Sequence, residues 1–286
     1  MVSTRVSNGT TAKKTSGDTA PLMNFNPVFF DSDQPDVIQV EADFNNLANA
    51  TVFTVYKTYL EAEQELWRIR TPDADIALST DKASSPINLY GATKLVADKL
   101  FISANHYAAG HVTRFAVVRY GNVMGSRGSV VPLFRQLAAA GKSLPITDKR
   151  MTRFWITLAQ AVKFVEDSFE LMQGGELYVP RIPSMRILDL VEAVAPDAVT
   201  HEIGIRPGEK LHEEMISPDD GARTVSLADR YVVQPTIATW GYTQPVGGEP
   251  VPEGFHYRSD SNDQWLNVEK LRTMLAATDP APSPVS

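Results

Sequence analysis

Two short apolar runs, Ile76 to Ser79 (IALS) and Phe115 to Val118 (FAVV), flank a segment, 89–107, in which Leu95, Val96, Leu100, Phe101 and Ala104 recur at helical spacing. Strand, helix and strand over this distance make a βαβ unit, which requires two parallel strands joined by a right-handed crossover. The constraint reaches function, because open α/β sheets bind ligands beyond the carboxyl ends of their strands. Those ends read Ser79-Thr80-Asp81-Lys82 and Arg119-Tyr120-Gly121-Asn122, and both are polar.

The remaining text supports the same class. Val131 to Ala140 predicts a helix stopped near Gly141, and Thr157 with Gln160 forms a capping box for a helix that closes at Gly174-Gly175. Strands are expected at Glu176 to Val179, near Val199 to Ile203 and at Tyr231 to Val233; helices at Ile187 to Ala195 and Asn267 to Ala276; a loop from Thr243 to Gly254. Before residue 75 the pattern weakens. Residues 1–22 have the composition of a disordered segment. PDVIQVEADF predicts a short strand, and Val52, Val55, Tyr56, Tyr59, Leu60, Leu66 and Trp67 predict an amphipathic helix capped by Thr51. The expected organisation is α/β: a disordered 1–22, an atypical segment 23–74, a Rossmann-like parallel sheet in 75–180 that is incomplete at its N-terminus, a smaller substrate-binding lobe and C-terminal helix in 181–276 with strands contributed to both parts, and a flexible tail, 277–286.

Composition narrows the chemistry. With 27 basic against 34 acidic residues the net charge is −7, which argues against broad nucleic-acid binding while leaving room for a local phosphate pocket. There is no cysteine, so neither a thiolate nucleophile nor a thiolate metal site is available. His106, His111, His201, His212 and His256 show no metal-ligand spacing, and no metal is expected. No apolar run approaches the ~20 residues of a membrane span and the first residues lack a signal-peptide core, so a soluble cytoplasmic protein is expected, without membrane partners.

Tyr90 and Lys94 stand four apart on the predicted helix, so their side chains share a face one turn apart. A nearby ammonium favours phenolate over phenol and brings a tyrosine toward the working range of a base. In isolation this spacing describes a half-buried tyrosine beside a solvated lysine far more often than a catalytic pair. Its position, opening the helix that follows a polar strand end, reverses that weighting. Thr80-Asp81-Lys82 at the strand end offers a hydroxyl, a carboxyl and an ammonium, although Asp and Lys after a strand are also ordinary turn residues.

Four blocks, ALSTDKASSPINLYGATKLVADKLF, RFAVVRYGNVMGSRGSVVPLF, LPITDKRMTRFWIT and GIRPGEKLHEEMI, resemble the inverting UDP-N-acetylglucosamine 4,6-dehydratases, extended short-chain dehydrogenase/reductase proteins that act on nucleotide sugars in polysaccharide biosynthesis. The lysine of Thr80-Asp81-Lys82 is the distinguishing residue, since retaining dehydratases usually carry Glu there. The resemblance implies NADP as cofactor and UDP-N-acetylglucosamine as substrate, in a homo-oligomer. Tyr90 would take the proton of the 4-hydroxyl while hydride passes from C4 to NADP, with Lys94 lowering the tyrosine's pKa and binding the nicotinamide ribose. Thr80 would hold the 4-oxygen, Lys82 would remove the C5 proton, and Asp81 would help protonate the departing 6-hydroxyl. Hydride return to C6 and reprotonation with C5 inversion would give UDP-2-acetamido-2,6-dideoxy-β-L-arabino-hexos-4-ulose.

The resemblance also implies that the backbone of Val123, Met124, Gly125, Ser126 and Arg127 lines the nicotinamide, and that Asn122 and Val130 contact substrate. Gly121, Gly125 and Gly128 equally suit a tight strand-to-helix loop. Arg206 and Glu209 would hold the uridine diphosphate end, with Asp148 a further nucleotide contact; Arg150 and Arg153 suit a structural role as well as a pyrophosphate.

One departure stands out. Of the 17 glycines only Gly9 and Gly17 precede residue 75, and they form no glycine-rich fingerprint for a cofactor pyrophosphate. With at least ~30 residues needed for each βαβ unit, the missing strands do not fit before Asp75. An altered or truncated N-terminal half and little or no bound NADP are therefore expected. A dehydratase with impaired cofactor binding and a UDP-sugar-binding or oligomer-forming module without redox chemistry both remain open; a nucleotide-sugar epimerase or reductase is disfavoured by Lys82 and the Arg-Pro-Gly-Glu block.

Overall fold

The βαβ unit forms as its periodicity predicts. In the computed structural model, strand Ala74–Thr80 pairs in parallel with Arg114–Tyr120 from Ala74 opposite Arg114 to Thr80 opposite Tyr120, and helix Leu89–Tyr107 connects them. The structure describes residues 74–108, 112–124 and 130–278, together with the backbone of strands Val28–Phe29, Val37–Ala42, Phe53–Thr58, Glu65–Leu66 and Arg68–Arg70. Leu177–Pro180 adds a third parallel strand beside Arg114–Tyr120. Arg230–Val233, Thr224–Ser226 and Glu249–Pro250 then extend the sheet antiparallel. At the opposite edge, Arg68–Arg70 pairs antiparallel with Ala74–Thr80, closing a seven-stranded mixed sheet.

Successive residues of the central strands point to opposite faces, and both faces are covered. Ala77, Phe115 and Val117 pack with Ala97, Phe101 and Ala104 of helix Leu89–Tyr107. Ile76, Ala116 and Val118 pack instead with Phe164 and Val165 of helix Leu158–Leu171, whose start carries the expected Thr157–Gln160 capping box. A separate cluster builds the smaller lobe: Phe134, Leu144, Trp155, Leu190 and Leu271 join helices Val130–Ala139, Ile187–Val194 and Val268–Thr278.

Three expectations are corrected. The helix expected over Val52 to Trp67 does not form; Phe53–Thr58, Glu65–Leu66 and Arg68–Arg70 are strands. The run FTVYKT is rich in β-branched and aromatic residues, and it pairs along all six with Val37–Ala42, a partner that periodicity alone cannot supply. Val37–Ala42 itself is the strand expected in PDVIQVEADF. The buried side of helix Leu89–Tyr107 comprises Gly91, Lys94, Ala97, Asp98, Phe101, Ala104 and Asn105, while Val96 is exposed. An apolar count misses this face because part of it is polar: Asp98 accepts from Arg119 Nη2 at 2.8 Å, and the Asn105 amide satisfies both backbone groups of Phe115. Finally, the Thr243 to Gly254 loop contains a two-residue strand, Glu249–Pro250, registered on Val225 and Ser226. The expected disordered segment, residues 1–22, and the DPAPSPVS tail lie outside the described residues.

Candidate active site

Strand Ala74–Thr80 ends in a single 3-10 turn, Asp81–Ala83. The Thr80 hydroxyl caps it, accepting from the Lys82 N–H at 3.4 Å and donating to Asp81 Oδ1 at 2.8 Å. Asp81 is fully buried. Lys82 Nζ donates to Asp81 Oδ1 at 2.9 Å and stands 3.4 Å from Glu213 Oε1. Burial alone pulls the Lys82 ammonium down, but the charges of Asp81 and Glu213 outweigh it and hold it above the usual lysine range. The turn is fastened from outside: Ser84 and Ser85 hydroxyls donate to Glu214 Oε1 at 2.9 and 2.6 Å, and Lys210 Nζ donates to the Ser84 carbonyl. Ser85 sits at φ +42°, a left-handed conformation that these bonds hold in place.

Asn88 joins two parts of the site. Its Oδ1 accepts from the Gly91 N–H at 2.7 Å, capping helix Leu89–Tyr107, and its Nδ2 donates to the Gly208 carbonyl at 2.7 Å. The first turn of that helix lies directly on the Asp81–Ala83 turn: a Cβ at Gly91 would collide with the Lys82 carbonyl oxygen. Tyr90 follows, half-buried, and Lys94 lies one turn on. Lys94 is 2% exposed and its Nζ donates to the Leu78 carbonyl at 3.3 Å, so it is no solvated surface lysine.

A cleft of about 360 Å³ opens at these strand ends. It brings together Lys82, Asn122, Arg206 and Glu209 from the predicted set, and adds Lys210 and Glu213. Asn122 Oδ1 is buried without a partner, as is Glu209 Oε2. Arg206 is exposed on the lining; its carbonyl accepts from the Glu209 N–H at 3.0 Å, and no hydrogen bond or ion pair among the described residues engages its side chain. Arg153, also on the lining, donates to the carbonyls of Thr152, Lys210 and Leu211 at 2.7 to 3.1 Å and pairs with Glu209 and Glu213 at 3.4 and 3.6 Å. It therefore holds the 209–213 segment in place.

Thr80, Asp81, Tyr90 and Lys94 stand beside or behind Lys82 and are not part of the cleft lining. Val123 continues the Asn122 strand, Met124 is buried in the small-lobe core, and Val130 packs against that core. Asp148 is likewise off the lining; hydrogen bonds from Arg150 hold its carboxyl at about 2. Gly125, Ser126 and Arg127 lie outside the described residues. Sequence reasoning missed Glu213, for which a signal existed: Leu211, Glu213 and Met215 alternate, putting a carboxyl in an inward-facing position.

A dinucleotide cofactor needs a further parallel strand beside Ala74–Thr80, with a helix N-terminus for its pyrophosphate. That edge is taken by Arg68–Arg70, antiparallel, with Arg68 opposite Ala77 and Arg70 opposite Asp75. Among the described residues no glycine-rich strand-to-helix turn stands beside it. The described residues offer the ribose end of a nicotinamide site in Tyr90 and Lys94 but no pyrophosphate cradle, and so they do not fit NADP.

Parallel strands covered on both faces, with converging polar residues at their carboxyl ends, define a Rossmann-type α/β domain. The chain belongs to the polysaccharide biosynthesis protein family, whose pattern matches residues 70–235. It is similar to two inverting UDP-N-acetylglucosamine 4,6-dehydratases of Campylobacter jejuni, 52% and 51% identical over 212 residues. The matches cover 71% of this chain and 64% of each relative, so the chain spans just under two thirds of their length. A UDP-glucose 4-epimerase of Rickettsia canadensis is 35% identical, over 70% of this chain and 60% of that one. Among solved structures, Pen from Bacillus thuringiensis superposes with a TM-score of 0.65 at 33% identity, covering 72% of this chain and 63% of that chain. No helix among the described residues is long and apolar enough to cross a membrane.

Proposed function

We propose that this chain holds UDP-N-acetylglucosamine and carries the acid–base part of its 4,6-dehydration, the loss of water across C5 and C6 of the 4-keto sugar. The observation that carries this reading is Lys82, presented to the cleft at a parallel strand end, 2.9 Å from Asp81, with Arg206 and Glu209 on the same lining. A guanidinium suits the diphosphate and a carboxylate the ribose hydroxyls. The 4-keto group acidifies the C5 hydrogen, and Lys82, within the cleft, is placed to remove it once its ammonium has given up a proton. Tyr90 and Lys94 support the same assignment as a tyrosine base with a buried cationic neighbour. NADP is the redox partner that the resemblance implies.

A second reading, a UDP-sugar-binding chain without redox turnover, is favoured by the antiparallel strand on the cofactor edge of the sheet. Supplying the 4-keto derivative of UDP-N-acetylglucosamine in deuterated water separates the two. The dehydratase reading expects deuterium at C5 and loss of water, both abolished in Lys82→Ala while UDP-N-acetylglucosamine still binds. Binding with no exchange in the parent chain supports the second reading, and exchange that survives Lys82→Ala removes Lys82 from the chemistry.

A further inference from the structure

A UDP-sugar has two ends, and Asn88 is bonded to the parts of the fold that would meet both. Arg206 and Glu209, the candidate contacts of the uridine diphosphate, flank Pro207 and Gly208; Tyr90 and Lys94 ride on helix Leu89–Tyr107, which starts directly after Asn88. The Asn88 Nδ2 donates to the Gly208 carbonyl at 2.7 Å, and its Oδ1 accepts from the Gly91 N–H at 2.7 Å. One side-chain amide thus joins segments 120 residues apart. The approach is close: a Cβ at Gly208 would stand 3.0 Å from Asn88 Cβ, and Gly208 lies at φ +79°, a left-handed conformation that glycine adopts without strain. The other anchors of this region act elsewhere, since Lys210 and Glu214 grip Ser84 and Ser85, and Arg153 grips residues 209–211 from strand Thr152–Ile156. A helix cap alone requires only an acceptor, which serine supplies as well as asparagine. The asparagine amide adds a donor on a second atom, and here that donor reaches the nucleotide-facing segment.

We propose that Asn88 is a positioning residue of this site: it fixes the 206–209 segment against the helix of Tyr90, so that a UDP-sugar gripped by its diphosphate presents its hexose to Lys82 and Tyr90. The proposal deepens the reading of the cleft as a UDP-sugar site and rests on it. Asn88 lines the cleft, but both ends of its amide are engaged within the protein, so its effect on the ligand passes through the two segments it joins. A ligand held at two ends gains from the second contact only while the two sites keep the spacing it requires. Without the link to Gly208, the nucleotide contacts persist on their own segment and the hexose loses its register with the strand end. The loss therefore falls on the sugar and spares the nucleotide.

Two variants separate the cap from the link: Asn88→Ser keeps a capping oxygen and loses the reach to Gly208, while Asn88→Ala loses both. Calorimetric titrations with UDP and with UDP-N-acetylglucosamine, run beside thermal melts, read the two functions apart. In Asn88→Ser the melting temperature is expected to stay within about 2 °C of the parent. UDP affinity should hold within about twofold while UDP-N-acetylglucosamine affinity falls ~tenfold, the loss of one net hydrogen bond's worth of ordering. Asn88→Ala should show the same split between ligands together with a lower melting temperature. Equal weakening of both ligands in Asn88→Ser, weakening of neither, or a parent chain that binds the two ligands equally well overturns the proposal. A parent chain that binds neither ligand defeats the UDP-sugar reading itself, and the role of Asn88 falls with it.

Discussion

Arg119 illustrates how a polar strand end divides into chemistry and support. It belongs to the Arg119-Tyr120-Gly121-Asn122 end, yet it is 1% exposed, pairs with Asp98 at 2.8 Å and donates to the Met215 carbonyl at 2.8 Å. Asn122, three residues on, lines the cleft. Arg119→Met strands the Asp98 charge in the interior, so a loss of ~3–5 kcal/mol is expected in denaturant unfolding, with much of it recovered when Asp98→Leu is added. An unchanged midpoint in the single variant would show the pair to be dispensable. At this scale the legible residues were those in dense local motifs, Lys82, Asn122, Arg206 and Glu209, which the fold collects on one lining. Lys210 and Glu213 were missed because their roles depend on contacts across more than fifty residues of chain, such as Lys82 with Glu213.

At the scale of elements, the site depends on how tightly helix Leu89–Tyr107 seats on the turn Asp81–Ala83. Gly91 makes that approach possible. Helix propensity alone predicts that Gly91→Ala stabilises by about 1 kcal/mol. Contact with the Lys82 backbone carbonyl reverses the sign, and a loss of ~1–3 kcal/mol is expected, read as a lower melting temperature together with weaker UDP-N-acetylglucosamine binding. A raised melting temperature would contradict the close packing. Elements with strong local signals, the βαβ unit and the Thr157–Gln160 cap, were legible in the sequence. The stretch from Val52 to Trp67 was not: its spacing matched a helix, but pairing of Phe53–Thr58 with Val37–Ala42 decided for strands.

For the whole molecule, the two sides of the central sheet differ in what they offer a ligand. The cleft side carries cations, carboxyls and two amides from four chain segments, tied together by Asn88, Lys210 and Arg153. The far edge ends in the antiparallel strand Arg68–Arg70, where a dinucleotide would need a parallel one. The scarcity of glycine before residue 75 was the sequence's sign of this asymmetry. The chain is therefore expected to bind UDP-N-acetylglucosamine and not NADP, which parallel calorimetric titrations with the two ligands check. Saturable heat with UDP-N-acetylglucosamine, weakened at least tenfold in Arg206→Ala, and no heat with NADP is the predicted result. Tight NADP binding, or no binding of UDP-N-acetylglucosamine, would contradict it.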